Sequence, residues 1–164
     1  MKRIGVISDT HGHWDEKLAN FLNSCDEIWH AGDIGNIKTA ETISELKPLK
    51  AVHGNIDDAR VRNEYPQFQR FHCEDVDVLI THIGGYPGKY ERNVRDIFDE
   101  NPPTLFICGH SHILKVMFDK KYNLLHINPG AAGRSGFHQV RTAVRFGIEG
   151  KNITNLEVLE LPKH

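Results

Sequence analysis

Arg3-Ile4-Gly5-Val6-Ile7-Ser8-Asp9-Thr10-His11 is the stretch that decides how the chain reads. Its apolar, β-branched run predicts a short buried strand. Asp9 and His11 then fall where the strand ends. In open α/β sheets, ligands bind at the carboxyl ends of the strands. A carboxylate and an imidazole one residue apart can grip one metal ion there together. A single Asp-x-His pair is a weak signal, so the weight falls on what recurs downstream.

The pattern around it is strand, helix, strand, helix, strand. Trp14, Leu18, Phe21, Leu22 and Cys25 share a helical face, and residues 27–31 form the next strand, ending in Gly32-Asp33. Ile37, Ala40, Ile43 and Leu46 mark a second helix, with Pro48 past its end. Residues 49–53 form a third strand, ending in Gly54-Asn55-Ile56-Asp57. This alternation predicts a parallel sheet.

The second half reads differently. Residues 67–73 and 76–81 predict two strands joined by Glu74-Asp75 and ending at His82, then a loop over 84–88. Tyr90, Val94, Ile97 and Phe98 predict a helix, stopped by Pro102-Pro103. Residues 104–108 predict a strand that ends in Gly109-His110-Ser111-His112, and 114–118 with 122–127 a hairpin. Two further strands, alternating through 140–148 and then reaching Leu161, complete the chain.

Composition narrows the class. The chain has 164 residues, 39% of them hydrophobic and 26% charged, which suits one domain with a real core spanning 1–164. A formal net charge of −2 leaves no electrostatic footprint for nucleic acid. No apolar run is long enough to span a membrane, and no signal-peptide pattern opens the sequence. Cys25, Cys73 and Cys108 form no C-x-x-C pair, so buried thiols in a reducing, cytoplasmic setting are expected.

The 11 histidines are the unusual feature of that composition. Strand after strand ends in metal-ligand chemistry: Asp9 and His11, Asp33, Asn55, His82, then His110 and His112. Glycines precede Asp33, Asn55 and His110 and are expected to let the backbone turn sharply as it leaves the sheet. Oxygen and nitrogen donors without a thiolate argue against a structural zinc site. Mixed carboxylate, amide and imidazole ligands suit two first-row ions. Two ions roughly 3.5–4 Å apart form the clamp that hydrolases use on phosphate esters.

Asp9-x-His11, Gly32-Asp33, Gly54-Asn55-x-Asp57, His82 and Gly109-His110-x-His112 resemble the motifs of the calcineurin-like metallophosphoesterases. The short chain and Asn128-Pro129-Gly130 after a late strand are similar to the small prokaryotic phosphodiesterase branch. The resemblance implies an αββα fold, two mixed β-sheets packed as a sandwich with helices on the outer faces. It implies two divalent ions, manganese first, with iron, zinc or nickel as alternatives. One would take Asp9, His11 and His112, the other Asn55, His82 and His110, and Asp33 would bridge both. It also implies a bridging hydroxide that attacks phosphorus in line.

Asp33, His82 and His13 are the residues expected to act in catalysis. His13 is added because it sits two residues beyond His11, at the mouth of the expected site. Two positions depart from the family pattern: Ile56 and Gly84 stand where relatives can carry a histidine. The metal ligands are intact, but the usual proton donors are missing. The expected activity is phosphodiester hydrolysis on a small phosphate ester, with no nucleic-acid or membrane partner and a homo-oligomer left open. The alternatives are a scaffold that keeps the fold without turnover, a phosphomonoesterase, and a protein phosphatase. His30 and His53 are expected to be packed or bonded to backbone, and His72, His126, His138 and His164 show no partner by spacing.

Overall fold

A computed structural model describes residues 1–164. The first strand, β1 (Lys2–Ile7), pairs in parallel with β2 (Glu27–His30), and β2 pairs in parallel with β3 (Leu49–Ala51). The helices α1 (Glu16–Leu22) and α2 (Ile37–Leu46) connect them. Asp15 caps α1 by accepting from Leu18 N, and Asn36 caps α2 by accepting from Thr39 N. A short helix, α3 (Ala59–Glu64), follows under an Asp58 cap.

The second sheet opens with β4 (Phe68–Cys73) and β5 (Val76–Thr81), an antiparallel hairpin. A two-residue ladder, β6 (Gly85–Tyr86) with β7 (Lys89–Tyr90), precedes α4 (Arg92–Glu100). Then come β8 (Leu105–Ile107), β9 (Leu114–Asp119) and β10 (Leu124–Pro129). The chain returns to the first sheet through β11 (Val140–Glu149) and β12 (Asn152–Pro162). The sheets run β12-β11-β1-β2-β3 and β4-β5-β8-β10-β9. Both are mixed, so the parallel sheet predicted from the first half covers only β1, β2 and β3, while β11 lies antiparallel to β1.

Side-chain alternation builds the layers. Val6, Trp29, Ile80 and Ile107 point between the sheets, into a core that also holds Ile127, Val144 and Phe146. Their neighbours Ile7 and Ile28 point the other way, onto Leu18, Leu22 and Ile43 of α1 and α2. Leu79 and Phe106 likewise meet Val94 and Phe98 of α4 on the opposite outer face. A period of two in every strand therefore gives helix, sheet, sheet, helix. Each large side chain so buried contributes about 1.5–3 kcal/mol. No helix is long and apolar enough to cross a membrane.

Three local readings change. Residues 84–88, expected as loop, contain β6 and the turn into β7. Tyr90, expected on a helical face, lies in β7 before α4 begins; it is still buried, and its hydroxyl donates to Asp119 Oδ2 at 2.8 Å. The α3 helix was not expected, because Val61 is its single buried residue and one residue makes no periodic face.

Candidate metal centre

The loops leaving β1, β2, β3, β5 and β8 converge, and they carry all seven candidate ligands. Two groups form: Asp9, His11 and His112 in one, Asp33, His82 and His110 in the other. Within each group the ligand atoms lie within 4.8 Å of one another. Asn55 joins the second group, its Oδ1 3.1 Å from His110 Nδ1.

Asp33 reaches both groups. Its Oδ2 is 3.4 Å from His11 Nε2 and 3.2 Å from His82 Nε2, while its Oδ1 accepts from Ile56 N at 3.1 Å. Asp9 has a similar division of labour. Its Oδ2 accepts from the Ser8 hydroxyl at 2.6 Å and from His110 N at 3.1 Å. Its Oδ1 faces His112, His11 and His82 Nε2 atoms at 3.2, 3.7 and 3.8 Å.

Tautomers follow from the bonds on the far side of the rings. His82 Nδ1 lies 2.8 Å from Ala31 O, and a carbonyl only accepts, so Nδ1 carries the proton and Nε2 is bare in the neutral ring. Asp9 Oδ1, His11 Nε2 and His82 Nε2 are buried and have no hydrogen-bond partner. Buried polar atoms are seldom left so. Carboxylate oxygens facing imidazole nitrogens that have no other partner call for positive charge between them, and this donor set fits divalent metal ions.

Electrostatics agree. Burial works to raise the pKa of Asp9 and Asp33, yet the surrounding imidazoles hold both well below the usual carboxylate range. The carboxylates of Asp33 and Asp9 push the His11 imidazole up to about 9. Burial lowers His82, and Asp33 and Asp9 overcome it, so that group also moves up. Burial moves His138 down, towards the neutral ring.

Backbone geometry holds these side chains in place. Asp9, His11, Asp33, His110 and His112 all have positive φ, from 48° to 72°. Non-glycine residues rarely adopt this conformation, and it clusters at functional sites. Asp9 N donates to Gly32 O and His11 N to Asp33 O, which locks the β1 loop onto the β2 loop. The preceding glycines act mostly through space rather than the turn expected of them. A Cβ on Gly54 would come within 2.1 Å of Asp33 Oδ1, and one on Gly109 within 2.0 Å of Ser8 Oγ. Gly32 alone of the three has positive φ, at 102°.

His13 stands outside both groups. Its Nε2 lies 2.9 Å from Asp15 Oδ2, and Asp15 also accepts from Arg141 at 2.7 Å. The Ile56 side chain is exposed and apolar. A Cβ at Gly84 would meet the Phe106 ring at 2.5 Å, so the fold leaves no room for a side chain there. His30 is fully buried between Thr10 Oγ1 and Gly32 N, and His53 Nδ1 meets Tyr65 O. Ser8, Asp57 and His138 have structural duties at the site that no motif reading gave them. Asp57 accepts from Ile34, Gly35 and Gly54 backbone N–H groups.

Two β-sheets in a sandwich, with a two-group Asp/His/Asn centre at their loop ends, define a metallophosphoesterase architecture. The calcineurin-like phosphoesterase superfamily domain matches residues 1–151, and the chain belongs to that family. It is 28% identical over 133 residues to a probable metallophosphoesterase of Methanothermobacter thermautotrophicus, covering 78% of this chain and 76% of that protein. Among solved structures it is similar to a novel archaeal phosphodiesterase, with TM-score 0.77 and 22% identity over 97% of this chain and 99% of that one. It is also similar to Vps29 of Chaetomium thermophilum, with TM-score 0.75 and 16% identity over 100% of both chains. Vps29 of Entamoeba histolytica in complex with zinc superposes with TM-score 0.74 and 15% identity, over 99% of both chains. At these identities the solved structures establish the fold alone.

Proposed function

We propose that this protein is a two-metal phosphodiesterase acting on a small phosphate ester. The observation that carries the reading is the set of buried, partnerless donor atoms, Asp9 Oδ1, His11 Nε2 and His82 Nε2, converging beside Asp33 Oδ2. Asp9, His11 and His112 would hold one ion, Asn55, His82 and His110 the other, and Asp33 would touch both. Manganese is the ion we expect first. When bound, the pair polarises phosphoryl oxygens and lowers the pKa of water to near neutrality.

The chain's own groups do the rest. Ser8 and His110 N fix the Asp9 carboxylate, Ile56 N fixes that of Asp33, and Ala31 O orients His82. Arg62 donates to the carbonyls of Gly54, Asn55 and Asp57, which spends its guanidinium on ordering the Asn55 loop. A diester needs room on both sides of phosphorus. One cavity of about 360 Å³ adjoins Asn55 and His82 and is lined by polar Gln67, Glu91 and Asn93. Another of about 570 Å³ adjoins His110 and His112 and includes Ile113 and the fully exposed Phe137. The archaeal phosphodiesterase neighbour supports the same reading. Three free, buried cysteines support a reducing, cytoplasmic setting.

The rival is a protein-binding scaffold, which the Vps29 neighbours leave open. Since one Vps29 is itself found with zinc, ion binding alone does not separate the readings, and the test must read turnover. The protein loaded with manganese is assayed on aryl diesters, cyclic nucleotides and monoesters. Diester cleavage faster than monoester cleavage is expected. Two bound ions with no turnover on any ester would favour the scaffold, and faster monoester cleavage would make it a monoesterase.

A further inference from the structure

His138 stands just before β11, outside every motif, and its ring packs edge-on against His112 with centroids 5.0 Å apart. Its Nε2 lies 2.8 Å from Gly133 O. A carbonyl oxygen accepts only, so Nε2 carries the proton and Nδ1 of the neutral ring is bare. That bare Nδ1 lies 3.1 Å from His112 Nδ1. His112 must therefore donate from Nδ1, which leaves its Nε2 bare, 3.2 Å from Asp9 Oδ1. Gly133 is tied to the same centre, for its N–H donates to Asp9 O at 3.1 Å. The loop closes because residue 136 is glycine. A Cβ there would sit 2.3 Å from His112 Nδ1, and the φ of 129° disfavours any side chain. Lys163 holds this turn from the far end by donating to Gly136 O.

We propose that His138 is a positioning residue for the metal centre, relaying the Gly133 carbonyl to His112 so that His112 presents a bare Nε2 to the ion beside Asp9. This rests on the two-metal reading above. It gives the first group what Ala31 O gives the second through His82, with one extra imidazole in the path. Partners of this kind fix the ring and raise its basicity, and their loss typically costs about 10–100-fold in metal affinity.

The test has two readouts other than activity. In long-range proton–nitrogen spectra of the metal-free, ¹⁵N-labelled protein, His112 should carry its proton on Nδ1 and His138 on Nε2. In His138→Ala, His112 should lose that single tautomer. Calorimetric titration with Zn²⁺ should show two ions in the wild type. His138→Ala should weaken one of them by about 10–100-fold and spare the other. His138→Asn places an acceptor oxygen near the lost Nδ1 and should recover most of the affinity, whereas His138→Phe keeps the bulk and should not. His112→Ala separates the layers of the argument. If it binds both ions as the wild type does, the metal assignment itself fails. If it loses one ion while His138→Ala does not, only the relay fails. An Nε2–H tautomer of His112, or equal affinities in the Asn and Phe variants, would also overturn the relay.

Discussion

Removing the Asp57 carboxylate tests how the loops are held. Its Oδ2 accepts from Ile34 N at 3.1 Å and Gly54 N at 2.8 Å, and its Oδ1 from Gly35 N at 2.9 Å. Ile34 follows Asp33 and Gly54 precedes Asn55, so this one side chain clasps the β2 loop to the β3 loop. Asp57→Ala strands three backbone donors. A stranded buried donor costs about 1–3 kcal/mol. The Gly35 donor is half-buried and regains water, so two donors carry the loss, about 2–6 kcal/mol in all. Domains of this kind are stable by only about 5–15 kcal/mol, so the effect is large. Asp57→Asn keeps an acceptor for two of the donors but turns an amide N–H toward the third. It should lose about 1–3 kcal/mol. Urea unfolding of the chelator-treated protein, followed by circular dichroism, measures both. The argument predicts in addition that Asp57→Asn weakens the ion at Asn55 in a calorimetric titration. An Asp57→Ala protein within 1 kcal/mol of the wild type would show that the clasp does not hold the loops.

Three further outcomes follow from the geometry. Asp33→Asn should leave unfolding cooperative yet abolish turnover and two-ion binding, because Oδ2 lies 3.4 Å from His11 Nε2 and 3.2 Å from His82 Nε2, closer to both rings than Asp9 Oδ1 is; an anomalous-scattering map with two Mn sites in this variant would contradict the assignment. Burial lowers the His126 pKa from 6.5 to about 4, so the unfolded chain takes up the proton more readily. Its contribution is fully present above pH 6.5 and is lost as pH falls towards 4, so His126→Leu should flatten stability between pH 4.5 and 6 by about 1 kcal/mol per unit. With Ile56 apolar and Gly84 closed to any side chain, neither position offers the leaving group a protein acid, so rates on substituted phenyl diesters should fall steeply as leaving-group pKa rises. His13→Ala should not change that slope, since His13 Nε2 is engaged by Asp15; a flat slope in the wild type would contradict the reasoning.

The sequence speaks clearly where one physical rule acts over several residues. The alternation of Ile4, Val6 and Ile7 reads out the two faces of β1, and the helical spacing of Ile37, Ala40 and Ile43 reads out α2. The ligand loops were legible because each follows such a strand. Legibility ends where a duty depends on a distant partner. His138 is 26 residues from His112, and spacing carries no trace of a ring-to-ring hydrogen bond. Ser8 looks like a strand residue until its hydroxyl is found on Asp9. Asp57 was visible inside a motif, but two of its three donors come from a loop 22 and 23 residues away. The α3 helix had one local signal, Asp58 three residues before Val61, and an N-cap alone does not make a helix.

The left-handed backbone at five of the seven ligand positions explains why these residues sit where they do. Each costs about 1–2 kcal/mol in a non-glycine residue, so together they draw on a large share of a domain's stability. Relaxing any of them to an ordinary conformation would swing a carboxylate or imidazole away from the centre. The fold holds them with bonds that lie outside both sheets: Asp9 N to Gly32 O, His11 N to Asp33 O, Gly12 N to Ile34 O, and Gly133 N to Asp9 O. These stitch the loop ends of β1 and β2, and the segment after β10, into one piece. Strain at the ligands and hydrogen bonds behind them are two halves of one arrangement. The backbone is over-determined so that imidazole nitrogens and carboxylate oxygens stay within a few ångströms of each other. A cation between them is attracted by all of these donors at once, which is the physical sense in which the partnerless atoms of this site argue for an ion.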